Sequence, residues 1–233
     1  MKPNNWKSRC ANLWREYRPL LFTILILTAV RSAIADWNDV PSGSMNPTIV
    51  EGDRVFVNKL AYDLKVPFTT WHIAQWSNPK RGDITVFFSP ADGIRLVKRV
   101  VGLPGDSVEL VNDRLFVNGV PASYEALPES VGHDLPATRF GPRYFEKESA
   151  PQTPAHPVTL LPRVLAKRSF GPIVVPPDHY FMMGDNRDNS NDSRYWGTVD
   201  RKLILGRASM VMMSLDHQHY FEPRWNRFFT DLL

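Results

Sequence analysis

The chain has 233 residues, 43% hydrophobic and 22% charged, which is enough apolar material for a globular core without metal or disulfide support. Its one cysteine, Cys10, excludes an intramolecular disulfide, and no Cys-x-x-Cys or His-Glu-x-x-His spacing supports a zinc site. The net charge of +4 does not mark a nucleic-acid surface: residues 1–18 carry five basic groups against Glu16, and residues 19–233 balance at 23 of each sign.

From Pro19 to Val30 the chain reads PLLFTILILTAV, twelve residues without a charge, and Arg31 and Ser-Ala-Ile-Ala follow. A membrane span needs about 20 apolar residues and at the least about 17, which is reached by counting on to Ala35 with Arg31 snorkelling to the headgroups. Three readings are open: a buried core helix, a signal peptide cleaved after Ala33-Ile34-Ala35, and an uncleaved anchor. The basic segment ahead of the apolar stretch argues against the first. The expected organisation is a basic cytoplasmic segment (1–18), an uncleaved transmembrane anchor (19–36) and everything after it outside.

Beyond the anchor the apolar residues fall in short strand-length runs. Arg54–Asn58, Asp83–Phe88 and Arg95–Val101 are three of them. Val108–Val111, then Asn112-Asp113, then Arg114–Val117 reads as a tight hairpin, and Asn118-Gly119 marks the next turn. Tyr180–Met183 and Arg207–Met213 are later strands. No long 3.6-residue period occurs after the anchor, so the fold class is mainly β. Residues 121–177 hold 11 of the 20 prolines and are expected to form a small inserted region, which leaves 37–120 and 178–233 as the main β-rich domain. The aromatic and basic tail, Tyr220–Phe229, either packs on the core or touches the membrane interface.

Three clusters carry possible chemistry. Pro41-Ser-Gly-Ser-Met-Asn-Pro-Thr48 turns tightly and offers two hydroxyls. In Arg95-Leu-Val-Lys-Arg-Val-Val-Gly-Leu-Pro-Gly-Asp106, Lys98 and Arg99 are adjacent on a β-branched strand, so one of them must face the buried side. Gly184-Asp-Asn-Arg-Asp-Asn-Ser-Asn-Asp-Ser-Arg-Tyr-Trp-Gly197 is dense in side chains that can lock one another. It is not a calcium loop, because Arg187 stands among the supposed ligands and no late glutamate follows.

Together with Arg81-Gly-Asp-Ile-Thr-Val-Phe87, these segments resemble, in order, the motifs of the type I bacterial signal peptidases (leader peptidases). The likeness runs from the anchor to about Met213. It implies a β-rich catalytic domain with an inserted second domain, and a serine endopeptidase using a Ser/Lys dyad without metal or cofactor. Ser44 matches the nucleophile and Lys98 the general base. Ser42, with the Ser44 main-chain N–H, matches the oxyanion site. Ser190 matches the hydroxyl that orients the lysine, and Asp192 and Arg194 a supporting pair. Val40, Met45, Ile49, Val86 and Leu96 match walls of shallow pockets that accept small residues at the first and third positions before the cut. The chain departs from many Gram-negative members in showing one apolar anchor rather than two, and Leu96 stands where some members carry tyrosine.

The implied partners are preprotein signal peptides, the lipid bilayer and the nearby export machinery, with no nucleic acid. The implied location is the bacterial inner membrane, single-pass, catalytic domain on the periplasmic face. The residues agree independently, since a lysine base must be desolvated to be neutral near pH 7, and the pKa expected for Lys98 is about 8 instead of about 10.4. Two alternatives remain: a membrane-tethered binding module without activity, and a Ser-His-Asp hydrolase using His179, although none of the six histidines falls in these clusters.

Overall fold

The computed structural model describes residues 6–69, 71–138 and 140–232. It opens with helix α1 (Trp6–Ala33). Pro19 lies inside it and has no N–H to donate, while Thr23 and Thr28 donate their hydroxyls back to the carbonyls of Pro19 and Ile24. The aliphatic side chains from Leu20 to Leu27 stand half-exposed along it. Among the described residues no helix is long and apolar enough to cross a membrane. The twelve uncharged residues rise only about 18 Å, against a hydrocarbon core of about 30 Å.

The strands follow in chain order. The first six are β1 (Ala35–Asp39), β2 (Asp53–Asn58), β3 (Asp63–Lys65), β4 (His72–Gln75), β5 (Ile84–Phe88) and β6 (Arg95–Gly102). Next come β7 (Ser107–Val111), β8 (Arg114–Val117), β9 (Val120–Pro121), β10 (Ser123–Leu127), β11 (Tyr144–Ser149), β12 (His156–Leu160) and β13 (Phe170–Val174). β14 (His179–Met183), the short helix α2 (Ser193–Trp196), β15 (Val199–Asp200), β16 (Ile204–Asp216), β17 (Glu222–Pro223) and β18 (Thr230–Asp231) complete the chain. The molecule is thus mainly β, as its short apolar runs predict.

The main sheet is antiparallel, in the order β1-β2-β16-β5-β6-β14-β15. In β2 burial alternates strictly, with Val55 and Val57 inward, as expected for a strand with one buried face. The 108–117 hairpin forms in the expected register, Val108 opposite Val117 and Val111 opposite Arg114. Its two turn residues, Asn112 and Asp113, both take positive φ, the geometry that a two-residue turn between twisted strands requires.

The Pro-rich stretch divides. β10, β11 and β12 form their own three-stranded sheet, while β13 pairs with β7 and completes a four-stranded sheet with β8 and β9. β12 is also stitched to the loop after β14: the Thr159 N–H donates to the Asp185 carbonyl, and the Arg187 N–H to that of Thr159. The tail packs on the core, since β17 and β18 both pair with β16 and Arg227 reaches Asp53 at 2.6 Å. Asp53 ends β2 opposite to Asn58, the residue that meets Ala35 below α1. Six strand residues rise about 3.3 Å each, so the β17 end of the tail stands well away from the end of α1.

Two interruptions in the sheet position the site. β14 contacts β6 only from Arg99 to Gly102, which leaves residues 95–98 with an open edge. β1 is the first strand of the sheet and is paired on one side alone. The cleft lies between these two edges.

Candidate active site

Ser44 lies in a 3₁₀ turn, Gly43–Met45, between β1 and β2. The turn is clamped by the loop after β14: the Asn186 N–H donates to the Ser44 carbonyl at 3.1 Å, and Asn186 Nδ2 donates to the Gly43 carbonyl at 2.9 Å. Met45, Ile49 and Val40 bury beneath the turn in the cluster built on β2, β5 and β16, so the backbone is held on both sides.

Lys98 reaches Ser44 from β6, with Nζ 2.6 Å from Oγ and 3.0 Å from the Val97 carbonyl. Only 2% of the lysine is exposed. Burial brings its pKa down to about 8; the negative charges of Asp192 and Asp185 oppose the fall and Arg194 adds to it. In the neutral form the amine can accept the Ser44 hydroxyl proton, which an ammonium cannot.

The adjacent Arg99 is buried too, so both members of the pair are enclosed. Arg99 donates to both Asp185 oxygens, at 2.8 and 2.7 Å, and to the Gly82 carbonyl, and Thr48 donates its hydroxyl to Asp185 Oδ2. A carboxylate waiting on the second face makes that burial tolerable. This lock ties β6 to the loop that clamps Ser44. Sequence reasoning missed Asp185 and Asn186, whose partners Thr48 and Gly43 lie more than a hundred residues away and leave no local pattern.

The supporting pair is present as a unit. Asp192 caps α2 and accepts from Arg194 Nε and Nη2 at 2.8 and 2.9 Å, and its other duty is to accept the Gly184 N–H. Ser190 is buried, its Oγ makes no hydrogen bond among the described residues, and it adjoins Gly184 and the Ser44 carbonyl. A methyl group on Gly184 would clash with that hydroxyl and that carbonyl.

The cleft beside Ser44 holds about 220 Å³ and is walled by residues 38–45 on one side and 94–98 on the other. Ser42 lines it next to Ser44, and its hydroxyl makes no capping bond to the turn. Val40, Met45 and Leu96 also line it. Ile49 and Val86 do not: they lie fully buried under it, in the same cluster as Val40 and Met45. His179 is directed elsewhere, its Nδ1 at 2.9 Å from the Pro177 carbonyl. Among the described residues no group of three or more metal-ligating side chains forms.

This constellation can perform acyl transfer to an alcohol, with an amine as the base, in a cleft open to an extended chain. Residues 14–213 match the family model of signal peptidase, peptidase S26, and the chain belongs to that family of hydrolases. The signal peptidase I of Pseudomonas fluorescens is 38% identical over 215 residues, covering 86% of this chain and 71% of the relative; that of Pseudomonas aeruginosa matches to the same extent. The signal peptidase I P of Bacillus subtilis subsp. natto is 33% identical, covering 90% of this chain and 94% of its own. A solved signal peptidase I from Enterococcus faecalis, 33% identical, covers 57% of this chain and 98% of its own at a TM-score of 0.34, too low to bear on the fold.

Proposed function

We propose that the chain removes N-terminal signal peptides from exported preproteins at the outer face of the inner membrane, near the export machinery. Ser44 is the nucleophile and Lys98 its base. The observation that carries the reading is the 2.6 Å approach of a buried amine to a serine hydroxyl at the edge of a cleft.

The substrate lies extended between the open edge of 95–98 and the β1 segment, main-chain bonds fixing its register and alternate side chains entering the walls. Lys98 Nζ takes the Ser44 proton as Oγ bonds to the scissile carbonyl carbon. The oxyanion accepts hydrogen bonds from the Ser44 N–H and the Ser42 hydroxyl. Lys98 then returns its proton to the leaving amine as the C–N bond breaks, and water hydrolyses the ester. Ser190 is assigned the orienting of the amine by resemblance alone, since its Oγ does not bond Lys98 among the described residues, and Asp192 with Arg194 holds Gly184 and the loop around it. Val40, Met45 and Leu96 set the size of the pockets, with Ile49 and Val86 as their floor.

The helix α1 holds the site at the membrane, its N-terminus on the cytoplasmic side. The exposed aliphatic surface from Leu20 to Leu27 supports this, as does the concentration of positive charge before it.

Incubating the purified full chain with a preprotein tests the function: wild type should release the signal peptide and Ser44→Ala should release none. A substrate with alanine at the first and third positions before the cut should be processed, and one with phenylalanine at either should not. Equal processing of the two would contradict the shallow pockets.

A further inference from the structure

A cavity of about 520 Å³ lies apart from the dyad, where α1 meets the β body. Ser32 at the end of α1 lines it, with Lys59, Lys65, Arg95 and the aromatic pair Phe68 and Trp71 from the segment before β4. That segment is fastened to the helix, because the Phe68 N–H donates to Ser32 Oγ at 2.7 Å. The cavity therefore keeps its place relative to α1.

Its charge is unbalanced. Arg31, Lys59 and Arg95 converge on the single carboxylate of Asp36, at 3.0, 3.5 and 3.5 Å. Lys65 shares Asp63 with Arg201. Of these cations Lys59, Lys65 and Arg95 line the cavity, and among the described residues no carboxylate lines it, which leaves three positive side chains on its wall. The Lys59 pKa is lowered chiefly by burial, which an additional anion would relieve. Two of the lining aromatics face water, Phe68 and Trp71 being 68% and 74% exposed, and Ile73 and Trp76 a few residues on along the chain are more than half exposed. Exposed tryptophan beside surplus positive charge, at the end of an exposed aliphatic helix, is the composition of a protein surface at the headgroup layer.

We propose that this cavity receives the phosphate headgroup of an anionic phospholipid from the bilayer that holds α1, with Lys59 and Arg95 toward the phosphate and Phe68 and Trp71 at the boundary with the acyl chains. The proposal rests on the membrane reading of α1. It places a lipid preference at the foot of α1, apart from the basic residues Arg15 and Arg18 nearer the start of the helix. Because Arg95 also lines the substrate cleft, an occupied site would steady one wall of that cleft.

The test reconstitutes the full chain in phosphatidylcholine vesicles with a trace of dansyl-labelled phosphatidylglycerol and reads energy transfer from tryptophan. Unlabelled phosphatidylglycerol should suppress the transfer at a much lower mole fraction than added phosphatidylcholine. Lys59→Gln should weaken that preference about fivefold, the worth of one charge near a membrane, while Lys59→Arg should keep it. Equal displacement by both lipids would overturn the headgroup site and leave the membrane reading standing. Displacement of the probe by a soluble signal-sequence peptide would assign the cavity to substrate and overturn the proposal. Protein that stays in solution when the vesicles are floated would overturn the membrane reading itself.

Discussion

A buried lysine works against the fold it belongs to, and Lys98 makes that cost measurable. Its pKa is lowered to about 8 by burial first, below the unfolded value of about 10.4. Between those two pH values the unfolded chain binds more protons, so stability rises with pH there; below about 8 the full cost of roughly 3 kcal/mol applies. Lys98→Met should therefore unfold at higher denaturant at pH 7, by about 2–3 kcal/mol, and the gap should close toward pH 10. Unchanged stability at both pH values would mean that the amine is not desolvated. A second residue-scale outcome concerns Gly184. Gly184→Ala should fold but lose most activity, because the methyl group would overlap both the Ser190 hydroxyl and the Ser44 carbonyl and must push them aside. An alanine variant with wild-type kcat would show that the loop yields without cost.

At the scale of elements, the three-stranded sheet of β10, β11 and β12 is coupled to the site by buried charge. Glu148 on β11 accepts from Arg187 Nη1 and Nη2 at 2.6 and 2.7 Å, with both side chains 1% exposed. His156 stands within 4 Å of Glu148 and Asp185, yet burial holds its pKa down to about 4. Removing one partner strands the other. Glu148→Leu should cost about 3–5 kcal/mol in chemical denaturation, whereas Glu148→Leu with Arg187→Met should recover most of it. A single variant as stable as wild type would show that Arg187 finds water. β1 bears on processing of the N-terminal segment: Ala33 is buried at the end of α1, and Ala35 is already paired with Asn58. A peptidase needs an extended, accessible segment, so the mature chain should keep its N-terminus; sequencing that begins at Asp36 would contradict this.

Much of this arrangement was legible beforehand. The strands around Lys98 and the Asn112-Asp113 turn were readable because β-branched alternation and turn chemistry act within a few residues. The serine motif, the lysine strand and the loop after β14 carried the site by resemblance. The pairing of β13 with β7 was not legible, since a five-residue run with three large apolar side chains, interrupted by Gly171 and Pro172, carries little strand signal. Nor were the Arg99–Asp185 and Arg187–Glu148 locks, whose partners are fixed by tertiary folding alone.

On the scale of the whole molecule, a curled antiparallel sheet leaves two strand edges facing each other, and Ser44 and Lys98 meet where they face. α1 and the charged, aromatic cavity at its foot stand on the Asn58 side of that sheet, and the β17 end of the tail, with Tyr220 and Phe221 exposed, on the Asp53 side. The central claim is that a neutral lysine activates Ser44, and the pH–rate profile of preprotein cleavage by wild type beside Lys98→Arg tests it most directly. In wild type kcat/KM should rise through an apparent pKa near 8, with about a tenth of the limiting rate at pH 7. Lys98→Arg should be inactive across the range, because a guanidinium stays charged. A Lys98→Arg enzyme with near-normal cleavage, or a wild-type profile flat from pH 6 to 10, would contradict the account.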